Sequence, residues 1–415
     1  MRLGVIADDF TGATDIAGFL VENGLRTVQL NGLQHRELSI DADAVVISLK
    51  SRSNAANVAV SDSVAALNWL RERNCQQYFF KYCSTFDSTA KGNIGPVTDA
   101  LLHTLKEDFT IVCPALPVNG RTIYHGYLFV NGVPLNESGM RDHPVTPMKD
   151  ANLMRLMDAQ SEGKTGNVPI GVVEKGAAAI QLALSGLKKS GFRYAVLDAL
   201  TDDHLTAIGK AVSEMRFVTG GSGLAEGIGR SITQKPIASA HYEAIPSSGR
   251  AVVLSGSCSQ MTNLQVASYQ KLAPSNSISV ERCLLECETY VGELVEWVKA
   301  QPPHGPAPLL SATTNPLQLK ETQRRFGAVE SSAAIEKVLS EVASRLADEG
   351  FDRFIVAGGE TSGAVTQALG ITGFYIGPQI CPGVPWVRAI DKSIFLALKS
   401  GNFGQESFFT EAQRL

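Results

Sequence analysis

Residues 3–22 constrain the fold more than any other part of the sequence. The aliphatic run 3–7 predicts a short buried strand, and apolar residues at helical spacing over 16–20 predict a helix directly after it. Two adjacent carboxylates, Asp8 and Asp9, lie at the junction. Open α/β sheets bind ligands at the carboxyl ends of their parallel strands, so this junction is a candidate ligand site.

Asp8 and Asp9 are expected to have different tasks. Side chains of neighbouring strand residues point to opposite faces, so one carboxylate is expected to face a ligand crevice while the other caps the helix. The alternative is that both carboxylates only accept hydrogen bonds from backbone N–H groups at the helix start.

Runs typical of strands alternate with runs typical of helices along the first half. The predicted strands cover 27–30, 44–48, 78–82, 109–112, 168–172 and 194–197, and predicted helices include 58–70 and 177–187. This alternation predicts βαβ units and a parallel sheet. The stretch 114–150, with several prolines and Asn-Gly pairs, is expected to form a long functional loop.

A second series follows the polar stretch 245–250. It has predicted strands at 251–254, 309–311 and 354–356, helices near 290–299 and 332–349, and a Gly- and Pro-rich passage at 377–385. A chain of 415 residues is too long for one core. We therefore predict an α/β protein of two domains, 1–246 and 247–415, each a mainly parallel sheet flanked by helices.

The composition argues against nucleic acid and membranes as binding partners. A net charge of −4 gives no general attraction for nucleic acid or an anionic membrane, and no apolar run reaches the length of a membrane helix. Met1 leads directly into a strand, and the seven scattered cysteines suit reduced thiols, so we expect a cytoplasmic protein. No His or Cys pattern with zinc spacing occurs, so metal ligands are not predicted from the sequence.

Glycine-rich turns follow several predicted strands. In 357–363, paired glycines precede a helix whose first N–H groups favour phosphate, and Thr361 and Ser362 add hydroxyls. The turn 253–260 has the same design, and no Walker sequence occurs. The turn 219–224 resembles a dinucleotide motif, but Glu226 replaces its last glycine. Each turn is alternatively only a tight connection between a strand and a helix.

Basic side chains of the first half stand next to carboxylate, hydroxyl and amide groups. A pocket with these groups would suit a sugar acid, because the cations bind its carboxylate and the other groups bind its hydroxyls. The alternative is a set of solvated ion pairs in loops. The candidate substrate-binding residues are Arg52, Lys81, Asp87, Ser88, Lys91 and Asn93.

With these segments the chain resembles the four-carbon acid sugar kinase family over essentially its whole length. The motifs that carry the resemblance lie at 6–15, 81–93, 254–259, 357–363 and 399–404. The resemblance implies an N-terminal sugar-acid-binding domain, a C-terminal nucleotide-binding domain and an active site in the cleft between them. It also implies ATP-dependent phosphorylation of the 4-hydroxyl of a four-carbon acid sugar, with 3-oxo-tetronate as the first expectation and threonate or erythronate as alternatives.

The resemblance also implies site residues. Its ATP contacts fall on Ser257, Gly359, Glu360, Thr361, Ser362 and Gly404. Mg²⁺ is expected to bridge the phosphates, because phosphoryl transfer depends on positioning and charge neutralisation. Asp8 or Asp9 is expected to act as general base or to orient the hydroxyl, with Asp87 and Asp198 as rivals.

Two other classes of protein stay open from the sequence. A non-catalytic two-domain protein that binds sugar acids would show no affinity for nucleotide. An NAD-dependent dehydrogenase would use the turn 219–224, but no acidic residue follows at the end of a second strand about 20 residues later. A homodimer is a further expectation, because exposed αβ surfaces often associate.

Overall fold

The computed structural model describes residues 1–33, 40–143, 146–232 and 249–414. The chain divides into two compact units, Met1–His241 and Tyr242–Leu415. The predicted boundary between residues 246 and 247 lies outside the described residues. Each unit is an α/β structure, which confirms the predicted fold class.

The N-terminal unit is built on a parallel sheet. Its strands are β1 (Leu3–Ala7), β2 (Thr27–Asn31), β3 (Ala44–Ser48), β4 (Gln77–Lys81), β5 (Thr110–Cys113), β6 (Arg121–Tyr124), β7 (Tyr127–Val130), β8 (Val133–Pro134), β9 (Thr165–Val168), β10 (Tyr194–Leu197) and β11 (Phe217–Gly220). The sheet has the order β2-β3-β1-β4-β11-β5-β10-β9, and every neighbouring pair is parallel.

Helices connect these strands. They are α1 (Phe10–Glu22), α2 (Ala56–Glu72), α3 (Ile94–Leu105), α4 (Leu153–Asp158), α5 (Ile170–Val173), α6 (Ala177–Lys189), α7 (Asp202–Ala211) and α8 (Ser222–Ile232). The predicted helices 58–70 and 177–187 correspond to α2 and α6.

Strand β1 positions the candidate site. All its residues are buried, as expected of a strand with a parallel neighbour on each side. Ala7 pairs with Ser48 of β3 and with Lys81 of β4. The residues that follow β1 and β3 therefore meet Lys81 at one edge of the sheet.

Two predictions for the first half are wrong. The stretch 114–150 is not one long loop, because β6, β7 and β8 form a small antiparallel sheet. Its tight hairpin turn uses His125 and Gly126, both with positive φ, at +49° and +74°. The predicted strand 168–172 ends at Val168, because Pro169 has no N–H for pairing and instead precedes α5.

The C-terminal unit has a sheet that is parallel over most of its width. Its strands are β12 (Arg250–Ser255), β13 (Ser275–Ser277), β14 (Leu309–Ser311), β15 (Phe351–Ala357), β16 (Gly373–Cys381), β17 (Val384–Ala389) and β18 (Phe395–Lys399). The order is β13-β14-β12-β15-β18-β17-β16, and β17 is antiparallel to both of its neighbours. The Gly- and Pro-rich passage 377–385 therefore belongs mostly to two paired strands.

The helices of this unit cover the sheet. They are α9 (Gln260–Tyr269), α10 (Val280–Leu285), α11 (Cys287–Lys299), α12 (Pro316–Phe326), α13 (Ala328–Asp348), α14 (Gly359–Ala368) and α15 (Phe408–Arg414). Trp386 and Phe408 are fully buried in a core shared by the sheet, α9 and α15. Within the described ranges of both units, no helix combines the length and the apolar character needed to span a bilayer. All seven cysteines are free thiols.

Candidate active site

Arg52 joins the two carboxylates at the end of β1. Its Nε and Nη2 donate to the two carboxylate oxygens of Asp8 at 2.9 and 2.8 Å, and Nη2 also donates to Oδ1 of Asp9 at 2.7 Å. The planar guanidinium suits this two-point contact. The expectation that Asp8 and Asp9 point apart is wrong, because β1 ends at Ala7 and strand alternation does not extend to them.

The backbone holds Arg52 at this position. The N–H groups of Ser51 and Arg52 both donate to the carbonyl oxygen of Asp8, at 3.0 and 3.1 Å. Asn93 fixes the same loop from the start of α3, because its Nδ2 donates to the carbonyl oxygens of Ser51, Arg52 and Asn54 at 2.7, 3.2 and 2.9 Å. Asn93, a predicted substrate contact, is therefore engaged in holding the loop that carries Arg52.

Asp9 is the N-cap of α1, as expected for one of the two carboxylates. Its Oδ1 accepts a hydrogen bond from the N–H of Gly12 at 3.2 Å, and its Oδ2 accepts one from the hydroxyl of Thr11 at 3.0 Å. Its side chain is 25% exposed, compared with 8% for Asp8. Asp9 is therefore the carboxylate that a ligand reaches more easily.

Lys81 completes this cluster, which we call the aspartate–arginine cluster: Asp8, Asp9, Arg52 and Lys81. The buried Lys81 ammonium lies 3.6 Å from Oδ1 of Asp9. A Cβ added at Gly12 would overlap this ammonium, so glycine leaves room for it at the helix start.

The two carboxylates differ in acidity. Burial raises the pKa of Asp8 above its ordinary value, and the attraction of Arg52 offsets this only in part. Burial acts on Asp9 in the same direction, but the cations of Arg52 and Lys81 outweigh it and hold the pKa of Asp9 well below its usual range. Asp9 is therefore ionised at neutral pH and is a weak base.

The other predicted substrate contacts lie in the loop between β4 and α3. The hydroxyl of Ser88 donates to Oε1 of Gln160 at 2.6 Å and is buried, so it has a local structural partner. Asp87 is half-buried and accepts a hydrogen bond from Thr85 at 2.6 Å. Lys91 is exposed. Of these three, Asp87 and Lys91 keep side chains that solvent reaches.

Asp198, a rival candidate for the general base, is hydrogen-bonded within the fold. Its fully buried carboxylate accepts hydrogen bonds from the backbone N–H of His125, Gly126 and Ile170 at 2.6, 2.9 and 3.0 Å, and from Nδ2 of Asn167 at 2.9 Å. It thereby joins the β6–β7 hairpin and the start of α5 to the end of β10. With both oxygens occupied, Asp198 is poorly placed to act on a substrate.

The C-terminal unit contains a cavity of about 210 Å³. It lies against the turns that follow β12 and β15 and against α12 and α13. The lining residues are Gly256, Ser257, Cys258, Val280, Ala312, Thr314, Leu319, Thr322, Gln323, Ala328, Ser331, Ser332, Ile335, Glu336, Gly358, Gly359, Glu360 and Thr361. Four predicted ATP contacts, Ser257, Gly359, Glu360 and Thr361, are among them.

The start of α14 opens into this cavity. Gly358 precedes the helix with φ +124°, a conformation that favours glycine, and no side chain caps the helix. Gly359 and Glu360 are exposed, so the first turn is accessible to an anion. Ser362, another predicted contact, is fully buried and does not line the cavity.

The loop after β18 lies beside the cavity. The carbonyl oxygen of Gly401 accepts hydrogen bonds from Ser259, Thr262 and Lys399 at 2.5, 2.7 and 3.0 Å. A Cβ added at Gly401 would lie 2.7 Å from Oγ of Ser257, so this loop packs closely on a lining residue. Gly404, predicted to contact ATP, has φ +78° in the same loop but does not line the cavity.

Sequence reasoning missed the wall that α12 and α13 contribute. Leu319, Ala328 and Ile335 provide apolar surface, and Thr322 and Gln323 provide polar groups. These residues are far from the glycine-rich turns in sequence and belong to no recognised motif. Helical periodicity predicts a helix over 332–349, but it does not predict which side of that helix faces a ligand.

The glycines of the turn 219–224 serve packing. A Cβ added at Gly221 would lie 2.7 Å from the carbonyl oxygen of Pro114, and one added at Gly223 would lie 2.5 Å from that of Ala115. The turn therefore needs glycine to approach a neighbouring backbone segment, which accounts for the partial dinucleotide motif without a cofactor.

Mg²⁺ is the metal expected at the phosphates. Across the residues that the structure describes, no three or more His, Cys, Asp or Glu side chains converge to hold an ion. Magnesium commonly uses few protein ligands and takes the rest from phosphates and water, so Glu360 and Thr361 at the cavity fit it as a companion of nucleotide. The presence of Mg²⁺ stays a prediction.

Two family models match the chain, one to each unit. The sugar-binding N-terminal domain covers residues 3–228, and the nucleotide-binding C-terminal domain covers residues 252–409. Together with the two sites, these matches define a two-domain enzyme with a sugar-binding half and a nucleotide-binding half.

Full-length relatives give the family. A 3-oxo-tetronate kinase of Brucella melitensis biotype 1 is 62% identical over 418 residues, which cover 100% of this chain and 96% of the relative. A 3-oxo-tetronate kinase of Pectobacterium atrosepticum is 57% identical, with coverage of 100% and 99%. A crystal structure from Salmonella typhimurium LT2 matches with a TM-score of 0.94 at 56% identity and covers 100% of this chain and 99% of that one.

The chain belongs to the four-carbon acid sugar kinase family. The resemblance found in the sequence is confirmed, and so is the predicted class of enzyme, a sugar-acid kinase. Membership implies ATP as the phosphoryl donor. The site residues, the homodimer, the cytoplasmic location and the placement of the active site between the domains stay predictions.

Proposed function

We propose that this enzyme transfers the γ-phosphoryl group of ATP to the 4-hydroxyl of a four-carbon acid sugar, with 3-oxo-tetronate as the preferred acceptor. The observation that carries this proposal is the aspartate–arginine cluster, in which a buried lysine, a partly buried arginine and an accessible carboxylate lie together at the carboxyl end of a parallel sheet. The names of the full-length relatives supply the substrate.

The acid group of the substrate would bind to Arg52 and Lys81. In the described part of the chain, Nη1 of Arg52 makes no hydrogen bond, while Nε and Nη2 are engaged by Asp8 and Asp9. Lys81 has one ion pair there, with Asp9 at 3.6 Å, so its ammonium retains donor capacity. These donors suit a carboxylate.

Asp9 would orient the acceptor hydroxyl. Its low pKa makes it a weak base, but it accepts a hydrogen bond well as an ionised carboxylate. Phosphoryl transfer passes through a loose transition state and needs orientation of the nucleophile more than early removal of its proton. We therefore propose an orienting role for Asp9, with Asp8 holding Arg52 in place.

ATP would bind in the cavity of the C-terminal unit. The backbone N–H groups at the start of α14 would receive phosphate oxygens, and the apolar wall from Leu319 to Ile335 would suit the base. Mg²⁺, when bound, would neutralise phosphate charge near Glu360 and Thr361.

A coupled assay of ADP release tests this proposal. ATP and Mg²⁺ would be supplied with 3-oxo-tetronate, threonate or erythronate, and the highest kcat/KM is expected with 3-oxo-tetronate. Arg52→Met should raise KM for the acid, whereas Arg71→Met, a change of an exposed arginine on α2, should not. No turnover with any of these acids would overturn the proposal, and binding of the acid without turnover would favour a non-catalytic binding protein.

A further inference from the structure

Lys399 is a fully buried lysine at the end of β18. Its ammonium donates hydrogen bonds of 3.0 Å to the hydroxyl of Thr262 and to the carbonyl oxygens of Ser400 and Gly401. All three partners are neutral oxygens. The three donors of the ammonium are therefore satisfied without any opposite charge.

A buried charge of this kind is costly. In the part of the chain that the structure describes, Lys399 forms no ion pair. The titratable group that faces its ammonium is Cys381, and Glu411 in turn faces Cys381. Burial raises the pKa of Cys381 to about 11. The ring of Phe408 lies 5.9 Å from the ammonium of Lys399. Burial lowers the pKa of Lys399 to about 8. A buried cation without an opposite charge destabilises a fold, so the presence of Lys399 points to a role other than stability.

The loop that Lys399 holds lies against the nucleotide cavity. Gly401 packs on Ser257, a lining residue, and its carbonyl oxygen collects three of the donors that fix the loop. The charged residues that line the cavity are Glu336 and Glu360, both acidic, and no described lining residue is Lys or Arg. A triphosphate there would find no cationic side chain on the wall.

We propose that Lys399 is a positioning residue of the nucleotide site, which fixes the Gly401 loop against Ser257 and supplies positive charge to the phosphates of ATP without touching them. The inference rests on the proposed binding of ATP in this cavity. In this arrangement the phosphates of the nucleotide supply the negative charge that the protein does not place beside Lys399. The hydrogen bonds from Lys399 hold the Gly401 loop in position.

Isothermal titration with ATP, ADP, AMP and adenosine tests the proposal. Lys399→Met should weaken ATP binding by about tenfold, weaken ADP and AMP binding progressively less, and leave adenosine binding unchanged, because the effect depends on phosphate charge. Lys392→Met is the matched control, since Lys392 also donates to a backbone carbonyl of this unit, that of Leu369, but does not line the cavity. The control should bind all four ligands normally.

A pH series separates charge from structure. ATP affinity of the unaltered protein should fall between pH 7.5 and about 9 as Lys399 loses its proton, whereas Lys399→Arg should keep its affinity over this range because its charge persists. The arginine variant also serves if Lys399→Met does not fold.

Three results would overturn the role of Lys399. These are unchanged ATP binding in Lys399→Met, an equal loss for adenosine and ATP, and the same pH profile in the arginine variant and the unaltered protein. If the unaltered protein binds no ATP, the proposed nucleotide site fails, and the role of Lys399 fails with it. Normal ATP binding without transfer to a sugar acid would instead contradict only the proposed reaction.

Discussion

Single side chains set the chemistry of the N-terminal site, and Arg52 connects them. Removal of Asp8 would leave the partly buried guanidinium of Arg52 with one carboxylate partner, Asp9, in place of two. A change at Asp8 is therefore expected to alter folding as well as activity. Asp9 has a separate tie to the fold: in an asparagine the one amide oxygen can still accept the capping bond from Gly12, and the Thr11 hydroxyl can rotate to accept a hydrogen bond from the amide nitrogen. A substitution at Asp9 therefore tests chemistry more cleanly.

Asp9→Asn is expected to lower kcat by about a hundredfold, because the acceptor hydroxyl loses its orienting carboxylate. ATP affinity should stay within about twofold of the unaltered protein. The coupled ADP assay measures the first quantity, and isothermal titration measures the second. Asp41→Asn, a change in the exposed ion pair with Arg26, is the control and should leave both unchanged. An unchanged kcat in Asp9→Asn would remove Asp9 from the mechanism.

Gly12→Ala is expected to displace the Lys81 ammonium and Oδ1 of Asp9, because the added methyl group would overlap both. We expect a higher KM for the sugar acid with little change in the KM for ATP, measured by steady-state kinetics. Gly186→Ala is a matched control on α6, where an added Cβ meets no atom within 4 Å and helix propensity favours alanine. Equal KM values in both variants would contradict the proposed place of Lys81 in the acid site.

Lys399 gives a pH-dependent stability of known sign. Its pKa of about 8 in the folded protein is below the value of roughly 10.4 in an unfolded chain, so the unfolded state binds more protons between these values. The free energy of unfolding of the unaltered protein, relative to Lys399→Met, should therefore rise by about 2.5 kcal/mol from pH 8 to 10.5. Urea titrations at several pH values measure this difference. A flat difference would show that the folded ammonium keeps its ordinary pKa, and a falling one would show that folding raises it.

Helices and strands differ in how far the sequence predicts them. The junction β1–α1 is predicted well, because a continuous aliphatic run and a capping carboxylate are local signals. Helix α12 has a capping side chain, Asn315, but lacks the apolar pattern: none of its described side chains is buried. The strands within 373–389 were not predicted, because glycine and proline are unfavourable in strands and the pairing that stabilises these strands is not visible in the local sequence.

The same distinction applies to the sites. The sequence indicated Asp9, Arg52, Lys81 and the turn 358–361, since each carries a chemical group at a recognisable strand end. It did not reveal that the side chain of Asn93 donates its hydrogen bonds to backbone carbonyl oxygens or that Ser362 is buried, because both outcomes depend on contacts between distant segments. Residue types therefore predict which chemistry is available, and packing decides which groups are free to use it.

The carboxylate of Asp198 holds several elements together, and a variant can measure its contribution. Asp198→Asn should lower the free energy of unfolding by about 2 kcal/mol or more, because an amide nitrogen would face donors that need an acceptor. Thermal and urea unfolding measure this effect. Asp203→Asn, at an exposed position in the first turn of α7, removes only a helix-end charge and should cost less, about 0.3–1 kcal/mol. Activity per folded molecule should be retained in Asp198→Asn, and a loss of kcat without loss of stability would restore Asp198 as a candidate base.

The two units should respond separately to the two ligands in binary complexes. Because the proposed ATP contacts lie in the C-terminal unit, ATP should slow amide hydrogen exchange in 256–260 and 358–362. A four-carbon acid sugar alone should slow exchange in 8–12 and 51–54. Hydrogen exchange with mass spectrometry resolves these peptides, and adenosine is a control that lacks phosphate. Protection of 358–362 by the acid alone would contradict this assignment of ligands to units.

The anchoring of the β6–β7 hairpin by Asp198 has a consequence for biosynthesis. His125 and its acceptor are 73 positions apart. At ribosomal speeds of about 5–20 residues per second, the hairpin emerges roughly 4–15 seconds before the carboxylate that fixes it is made. During that interval β6 lacks its bridge between Ile123 and Ala199, so slow codons between these positions would prolong the period in which a nascent chain is open to mispairing or to chaperones.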